Sequence, residues 1–198
     1  MNKRPPLRRS APIEAENDGV IEGRNAVIEA LRAGTAIDKI YIMKGENPLI
    51  VVCDELSDPH NLGAVIRTAD AAGAHGVIIP KRRSAGLTAV VGKTSAGAVA
   101  HVPVARVPNL PALLKELKEA GLWVFGTAAN GTTSLYQADL KGPAAIVIGS
   151  EGSGMGRLVA ENCDFKVSIP MRGKLDSLNA SAAAAILLYE AVRQRLGR

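Results

Sequence analysis

Apolar residues in this chain fall into short runs that alternate with stretches of helical period. Leu49-Ile50-Val51-Val52 is the first such run in the central part, followed by SDPHN and then by LGAVIRTADAAG, whose apolar positions recur at helical spacing. GVIIP, ending at Pro80, is the next run, so residues 49–80 predict a βαβ unit with parallel strands. Further on, residues 87–98 read as a short helix and residues 101–107 as a strand or loop. Residues 110–120 read as an amphipathic helix with Lys115, Glu116, Lys118 and Glu119 outward, and residues 122–126 as a buried strand. Two more apolar runs, residues 145–148 and 165–169, read as strands, the second stopping at Pro170. The alternation predicts an α/β fold, a mostly parallel sheet flanked by helices.

The last third carries the strongest local signals. A long Ala-rich helix starts near Ser177, with Ser177 or Asn179 able to cap it by accepting from free backbone N–H groups. Residues 180–185 have high helix propensity, Arg193, Arg195 and Arg198 suit the C-terminal end of the dipole, and Gly197 suits a stop. Small residues on its first two turns permit close approach of another backbone, either as a core helix on the sheet or at a homodimer interface. Between the strands at 145–148 and 165–169 lies a loop with Gly149, Gly152, Gly154 and Gly156. It reads as a plain strand-to-helix turn or as a loop that lets a ligand approach the backbone. Its spacing is one residue short of G-x-G-x-x-G, and Gly86 lies one residue too far from Gly92-Lys93-Thr94 for a Walker loop, so standard phosphate loops are excluded.

Composition narrows the partners. With 198 residues, 47% hydrophobic content and no apolar run near the ~18 residues of a membrane span, a soluble, cytoplasmic protein is expected. A net charge of +5 and a pI near 9.4 favour an anionic partner such as nucleic acid. Aromatics make up only 3%, which speaks against a base-stacking platform. Cys53 and Cys163 lack a CxxC partner, and His60, His75 and His101 lack ligand spacing, so no metal site is expected. Residues 1–19, with Lys3, Arg4, Arg8 and Arg9 and no acid before Glu14, read as a disordered basic tail. Lys81-Arg82-Arg83, just after a strand end, reads as either a solvated loop or a grip on RNA phosphates.

Three segments then combine: DPHNLGAVIRTADAAG at residues 58–73, IGSEGSGM, and IPMRGKLDSLNASAA. In this order and spacing they resemble the three motifs of the SpoU (TrmH-type) RNA 2′-O-ribose methyltransferases of the SPOUT superfamily. The resemblance runs from about Leu49 to the C-terminus. The opening IEGRNAVIEAL brings it closest to the bacterial enzymes that methylate a guanosine of 23S rRNA, with a tRNA substrate as the alternative. It implies a C-terminal trefoil knot, a methyltransferase domain at residues 49–198, and a homodimer formed through the C-terminal helix region. Residues 20–48, with a helical pattern ending near Gly34 and a strand at 40–43, resemble the start of the family's L30e-like substrate-binding domain, here shortened. A SAM- or RNA-binding protein without turnover is the alternative that the shortening raises.

The resemblance also implies S-adenosylmethionine (SAM) as cofactor, held among Gly126, Thr127, Gly149, Ile169, Met171 and Leu178, and RNA as substrate. Asn61 and Arg67 fall on the first motif. The family proposal makes Arg67 the base that takes the ribose 2′-hydroxyl proton. A guanidinium stays protonated up to roughly pH 12, so binding the 3′-side phosphate and stabilising alkoxide charge suits Arg67 better. Asn61, Ser177 and Asn179 would orient the ribose and the third motif. Glu151, the only carboxylate of the glycine-rich motif, would orient Arg67 or accept a proton.

Overall fold

The structure, a computed structural model, describes residues 47–197. The readings made for residues 1–46 lie outside the described residues. In chain order the elements begin with β1 (Leu49–Cys53), α1 (Pro59–Ala71), β2 (Gly76–Pro80), α2 (Ala89–Thr94) and β3 (Val104–Val107). Then come α3 (Leu110–Glu119), β4 (Trp123–Thr127), β5 (Thr133–Ser134), β6 (Ala144–Ile148), α4 (Arg157–Glu161), β7 (Phe165–Ser168) and α5 (Ala180–Arg195). Short 3₁₀ turns occupy Ala98–Ala100 and Leu135–Gln137.

The strands form a sheet of order β3-β2-β1-β6-β4-β7-β5 among the described residues, with every pairing parallel. β1 and β6 are buried along their whole length, which is why both read as unbroken apolar runs rather than alternating ones. Alternate residues of each strand feed two separate apolar layers. Val51 and Ile146 face α1 and α5, where Leu62, Ile66 and Leu187 lie. Val52 and Val147 face α3 and α4, with Leu114 and Val159. The fold is therefore helix, sheet, helix.

The chain builds outward from β1 through β2 to β3, then crosses to β4, and later inserts β6 between β1 and β4. The order thus reverses beside β1 and β6. In open α/β sheets the carboxyl edge at such a reversal is where sites are built. The loops that leave β1 and β6 there are residues 54–58 and 149–156.

Several sequence expectations shift in detail. The helix expected over residues 87–98 is the six-residue α2 followed by a turn and a 3₁₀ segment. β5, two residues long, and α4, five residues long, are too short for periodicity to reveal. The final helix starts at Ala180 with Asn179 as its cap, not at Ser177.

α5 settles across α1 and β6, burying Ala180, Ala184, Leu187, Leu188 and Ala191. Its far end is tied down by Arg195, which donates to four backbone carbonyls: Asn47 (2.6 Å), Gly142 (2.7 Å), Leu140 (3.1 Å) and Pro48 (3.2 Å). These carbonyls belong to the segments entering β1 and β6, so one guanidinium joins the end of the chain to the amino edge of the sheet. Replacing it strands several acceptors at once. Arg195→Gln is expected to lower unfolding free energy by about 2–3 kcal/mol in urea denaturation, with Arg195→Lys restoring only part of it.

Candidate active site

α1 and α5 point their N-termini at the same place. Asp58 caps α1, accepting from the backbone N–H of His60 at 2.9 Å, and Pro59 starts the helix where a missing N–H costs nothing. This puts Asn61, 8% exposed, on the first turn. At α5 the Asn179 side-chain oxygen accepts from the backbone N–H of Ser181 at 2.9 Å and of Ala182 at 3.4 Å.

Glu151 lies between these two helix starts. One of its carboxylate oxygens accepts from Asn61 Nδ2 (2.9 Å), from the Ala180 backbone N–H (3.3 Å) and from Asn179 Nδ2. Asn179 Nδ2 also donates to Asn61 Oδ1 at 3.0 Å, which closes a three-residue ring. Every partner of the carboxylate is a donor, so one oxygen gathers the two asparagines and the start of α5. The residues are 90 and 28 positions apart along the chain. Their contact joins all three motif segments.

The loop that carries Glu151 is a narrow ribbon. Ser150 N donates to Gly154 O at 2.9 Å and Gly154 N returns a bond to Ser150 O at 3.0 Å, leaving residues 151–153 as the tip. Gly149 allows this, because a Cβ there would come within 2.3 Å of the Gly154 backbone. Behind the tip, Met155 lies against Gly126 of β4, where a Cβ would meet Cys163 Sγ at 2.6 Å and Met155 Cε at 2.7 Å. Gly156 donates its N–H to Asp54 Oδ2 at 2.7 Å. The loop therefore straddles the carboxyl edge, its tip held on the α1/α5 side and its base on the α3/α4 side.

The other residues singled out in the sequence are placed in different ways. Arg67 is exposed on α1, six residues beyond Asn61 and so about 9 Å further along the axis, with no ion pair among the described residues. Ser177 is exposed and donates to Asp176 Oδ1 at 3.0 Å; neither it nor Arg67 joins the Glu151 cluster. Thr127 and Met171 are half-buried, Ile169 packs against the core, and Leu178 is 38% exposed. Backbone N–H groups of residues 171–178 make no hydrogen bond among the described residues, so a strip of main-chain donors stays available beside exposed Leu175 and Leu178. Lys81, Arg82 and Arg83 are exposed after β2, and Arg83 Nη1 pairs with Glu55 Oε1 at 2.9 Å. Both members of that pair hold positive φ, 58° at Arg83 and 56° at Glu55.

The sequence does not single out Asp54 or Met155 as site residues, and it reads Cys163 only as a thiol without a CxxC partner. A charged residue directly after a buried strand, at the edge where sites form, was the available signal for Asp54. Burial pushes the Cys163 thiol up to about 11 and the Cys53 thiol up to about 12, so both stay protonated at neutral pH and neither is a nucleophile. No cluster of three or more His, Cys, Asp or Glu side chains able to hold a metal occurs among the described residues, and no helix there is long and apolar enough to cross a membrane.

This fold has counterparts among solved structures. The SpoU methyltransferase AviRb from Streptomyces viridochromogenes, solved in complex with AdoMet, superposes with a TM-score of 0.72 at 35% identity, over 78% of this chain and 63% of that one. The A. aeolicus TrmH/SpoU tRNA modifying enzyme gives 0.70 at 31% identity, covering 77% of each chain. The chain belongs to the SpoU rRNA Methylase family, whose model matches residues 48–189. A putative TrmH family tRNA/rRNA methyltransferase, YacO of Bacillus subtilis (strain 168), is 57% identical over 152 residues, 77% of this chain and 61% of that protein. The 23S rRNA (guanosine-2′-O-)-methyltransferase RlmB of Ralstonia nicotianae is 50% identical over 174 residues, 88% of this chain and 70% of that protein. The chain thus spans about three fifths of the length of YacO, and 42% of a second relative from Synechocystis.

Two outcomes follow from this geometry. Glu151→Ala leaves Asn61 and the start of α5 without their common acceptor, and is expected to cost about 1–3 kcal/mol by chemical denaturation, more than Ser177→Ala. For Asp54, burial is the largest influence and raises its carboxyl pKa, with the Gly156 N–H opposing, Glu55 adding to the rise and Arg83 opposing. A carboxyl raised in the folded state contributes stability below its unfolded pKa, and that contribution is lost as pH rises through the folded value. Asp54→Asn removes the dependence, so its melting temperature relative to wild type should be higher at pH 8 than at pH 4.

Proposed function

We propose that the chain is a SAM-dependent methyltransferase acting on a ribose 2′-hydroxyl of RNA, with a guanosine of 23S rRNA as the first substrate to test and tRNA the second. The observation that carries the reading is the Glu151 ring, which gathers the three motif segments at the carboxyl edge. Its similarity to SpoU methyltransferases supports the chemistry, and the basic loop after β2 lies at the same end of the sheet as the ring.

The cofactor suits the residues present. Met171 and Leu178 with the free main-chain donors of residues 171–178 offer an apolar wall and hydrogen bonds for an adenine and a carboxylate, while Gly149, Gly126 and Thr127 line the approach from β6 and β4, and Ile169 anchors the segment. When bound there, SAM supplies an electrophilic methyl group. Glu151 is already tied to three donors, so it acts by holding the ring rather than by taking the proton. Asn61 and Asn179 are positioning groups for the same reason. Arg67 has no competing carboxylate among the described residues, so its guanidinium is free to bind the phosphate beside the target ribose and to stabilise the developing alkoxide. Ser177, exposed on the third motif, is placed in the proposal as a ribose contact.

Lys81, Arg82 and Arg83 extend the contact along the RNA backbone. The exposed Arg83–Glu55 pair is worth about 0–1 kcal/mol, so a phosphate can replace Glu55 at little cost. The unburied face of α5, where Tyr189 is 52% exposed, is the surface through which a second copy would pair, giving a homodimer. Activity would be cytoplasmic, where unmodified rRNA and tRNA are found.

The test incubates purified protein with radiolabelled SAM and separate pools of unmodified 23S rRNA and tRNA. Label in one pool, resistant to alkali at a single dinucleotide, is expected. Arg67→Ala should lower kcat at least ~100-fold while SAM affinity measured by calorimetry changes less than about threefold. SAM binding without transfer to either pool would overturn the proposed reaction.

A further inference from the structure

The Glu151 ring accounts for the tip of the glycine loop but leaves its base unexplained. On the opposite face of the sheet, Asp54 leaves β1 with its side chain 4% exposed, next to the apolar residues Val52 and Val147. Its backbone N–H continues the ladder by donating to Ile148 O at 2.8 Å, which fixes Asp54 against the end of β6. From there Oδ2 accepts the Gly156 N–H at 2.7 Å, across 102 positions of sequence. Gly156 is the last residue of the loop and the one that starts α4, with φ −58° and ψ 147°. A carboxylate in so buried a place costs free energy unless a bond repays it, and the bond it makes is to the loop.

Since the ribbon between Ser150 and Gly154 is stiffened by two reciprocal bonds, moving its base tilts its tip. We propose that Asp54 is a positioning residue for cofactor binding, holding Gly156 so that the loop 149–156 stands in register with Asn61 and Asn179. The inference rests on the proposed role of this loop in holding SAM. The loop has two seats, and they differ in kind. Met155 on Gly126 and Cys163 is an apolar seat that tolerates sliding, whereas the Asp54–Gly156 bond is directional and fixes the angle. Loss of Asp54 should therefore loosen the loop without unfolding the sheet, whose neighbouring pairings are made by β1, β6 and β4 themselves.

The experiment compares wild type, Asp54→Ala, Asp54→Asn, Gly156→Pro and the Asp54→Ala/Gly156→Pro double variant. Gly156→Pro removes the donor at a φ that proline adopts, but its Cδ takes the place of the amide hydrogen and presses on Asp54 Oδ2, so it is read in the Asp54→Ala background, where that space is open. Two readouts are taken: amide hydrogen exchange over residues 149–156 and 184–195 in the free protein, and SAM affinity by calorimetry. Asp54→Ala is expected to speed exchange over 149–156 and to weaken SAM binding by about tenfold each, with 184–195 unchanged. Asp54→Asn keeps an acceptor and should stay within about threefold of wild type. The double variant should be no weaker than the worse single, because both delete one bond. In steady state KM for SAM rises while kcat at saturation is retained.

Unchanged exchange and affinity in Asp54→Ala would overturn the proposal, as would an Asp54→Asn as weak as Asp54→Ala, or full additivity in the double variant. Should Asp54→Ala not fold, Asp54→Leu, of similar size and without an acceptor, decides the same question against Asp54→Asn. Absence of SAM binding in the wild type would strike at the proposed function instead, and the exchange readout would still decide whether Asp54 holds the loop.

Discussion

A single carboxylate oxygen, on Glu151, accepts from two asparagine side chains and one helix N–H, and the assembly at the carboxyl edge depends on it. Two helix starts pointing at one spot bring several backbone donors together, with partial positive charge at each. Unanswered, that arrangement would cost free energy and leave α1 and α5 free to slide along each other. The carboxylate answers it. Asn179 shows how closely the local and global needs are merged, since its oxygen caps α5 while its nitrogen reaches Glu151 and Asn61. One side chain thereby ends a loop, begins a helix and joins two segments 118 residues apart.

The sheet topology makes this meeting possible. Inserting β6 beside β1 places the loop after β6 directly above the start of α1, and α5 then packs across α1 to bring its own first turn to the same point. Close packing there needs small residues on α5, and Ala180 and Ala184 supply them. The Ala-rich stretch that left core and interface readings open is used for the core on this face. The opposite face of the same helix, with Tyr189, stays available for the pairing proposed above.

Much of this was legible in residue types. The unbroken apolar runs at β1 and β6 announced buried parallel strands, and the order of three motif segments announced the family. The sequence names Asn61 and Asn179 as groups that orient the ribose and the third motif, and Glu151 as one that orients Arg67 or accepts a proton; it shows which residues are polar and not which of them satisfy one another. The structure adds their mutual bonds. Ser177 and Asn179 looked equivalent as caps; the difference is that only Asn179 has a second polar atom with which to reach Glu151. Asp54 carries one signal, its place directly after a buried strand. Its partner is a backbone N–H, which every residue but proline carries, so no side-chain pattern names what it binds.

The two ends of the glycine loop are held by unlike chemistry, and that contrast bears on how the site works. At the tip the acceptor is an exposed carboxylate among donors, reachable by solvent. At the base it is a buried carboxyl whose pKa is raised by burial, so its charged form is tolerated rather than favoured. The tip thus joins the three motif segments, while the base is set by one directional bond across 102 positions of sequence. A loop held at both ends keeps its place on the carboxyl edge, and the three motif segments stay together there. Gly149 and Gly126, which have no room for a Cβ, let the loop lie this close to its own backbone and to β4.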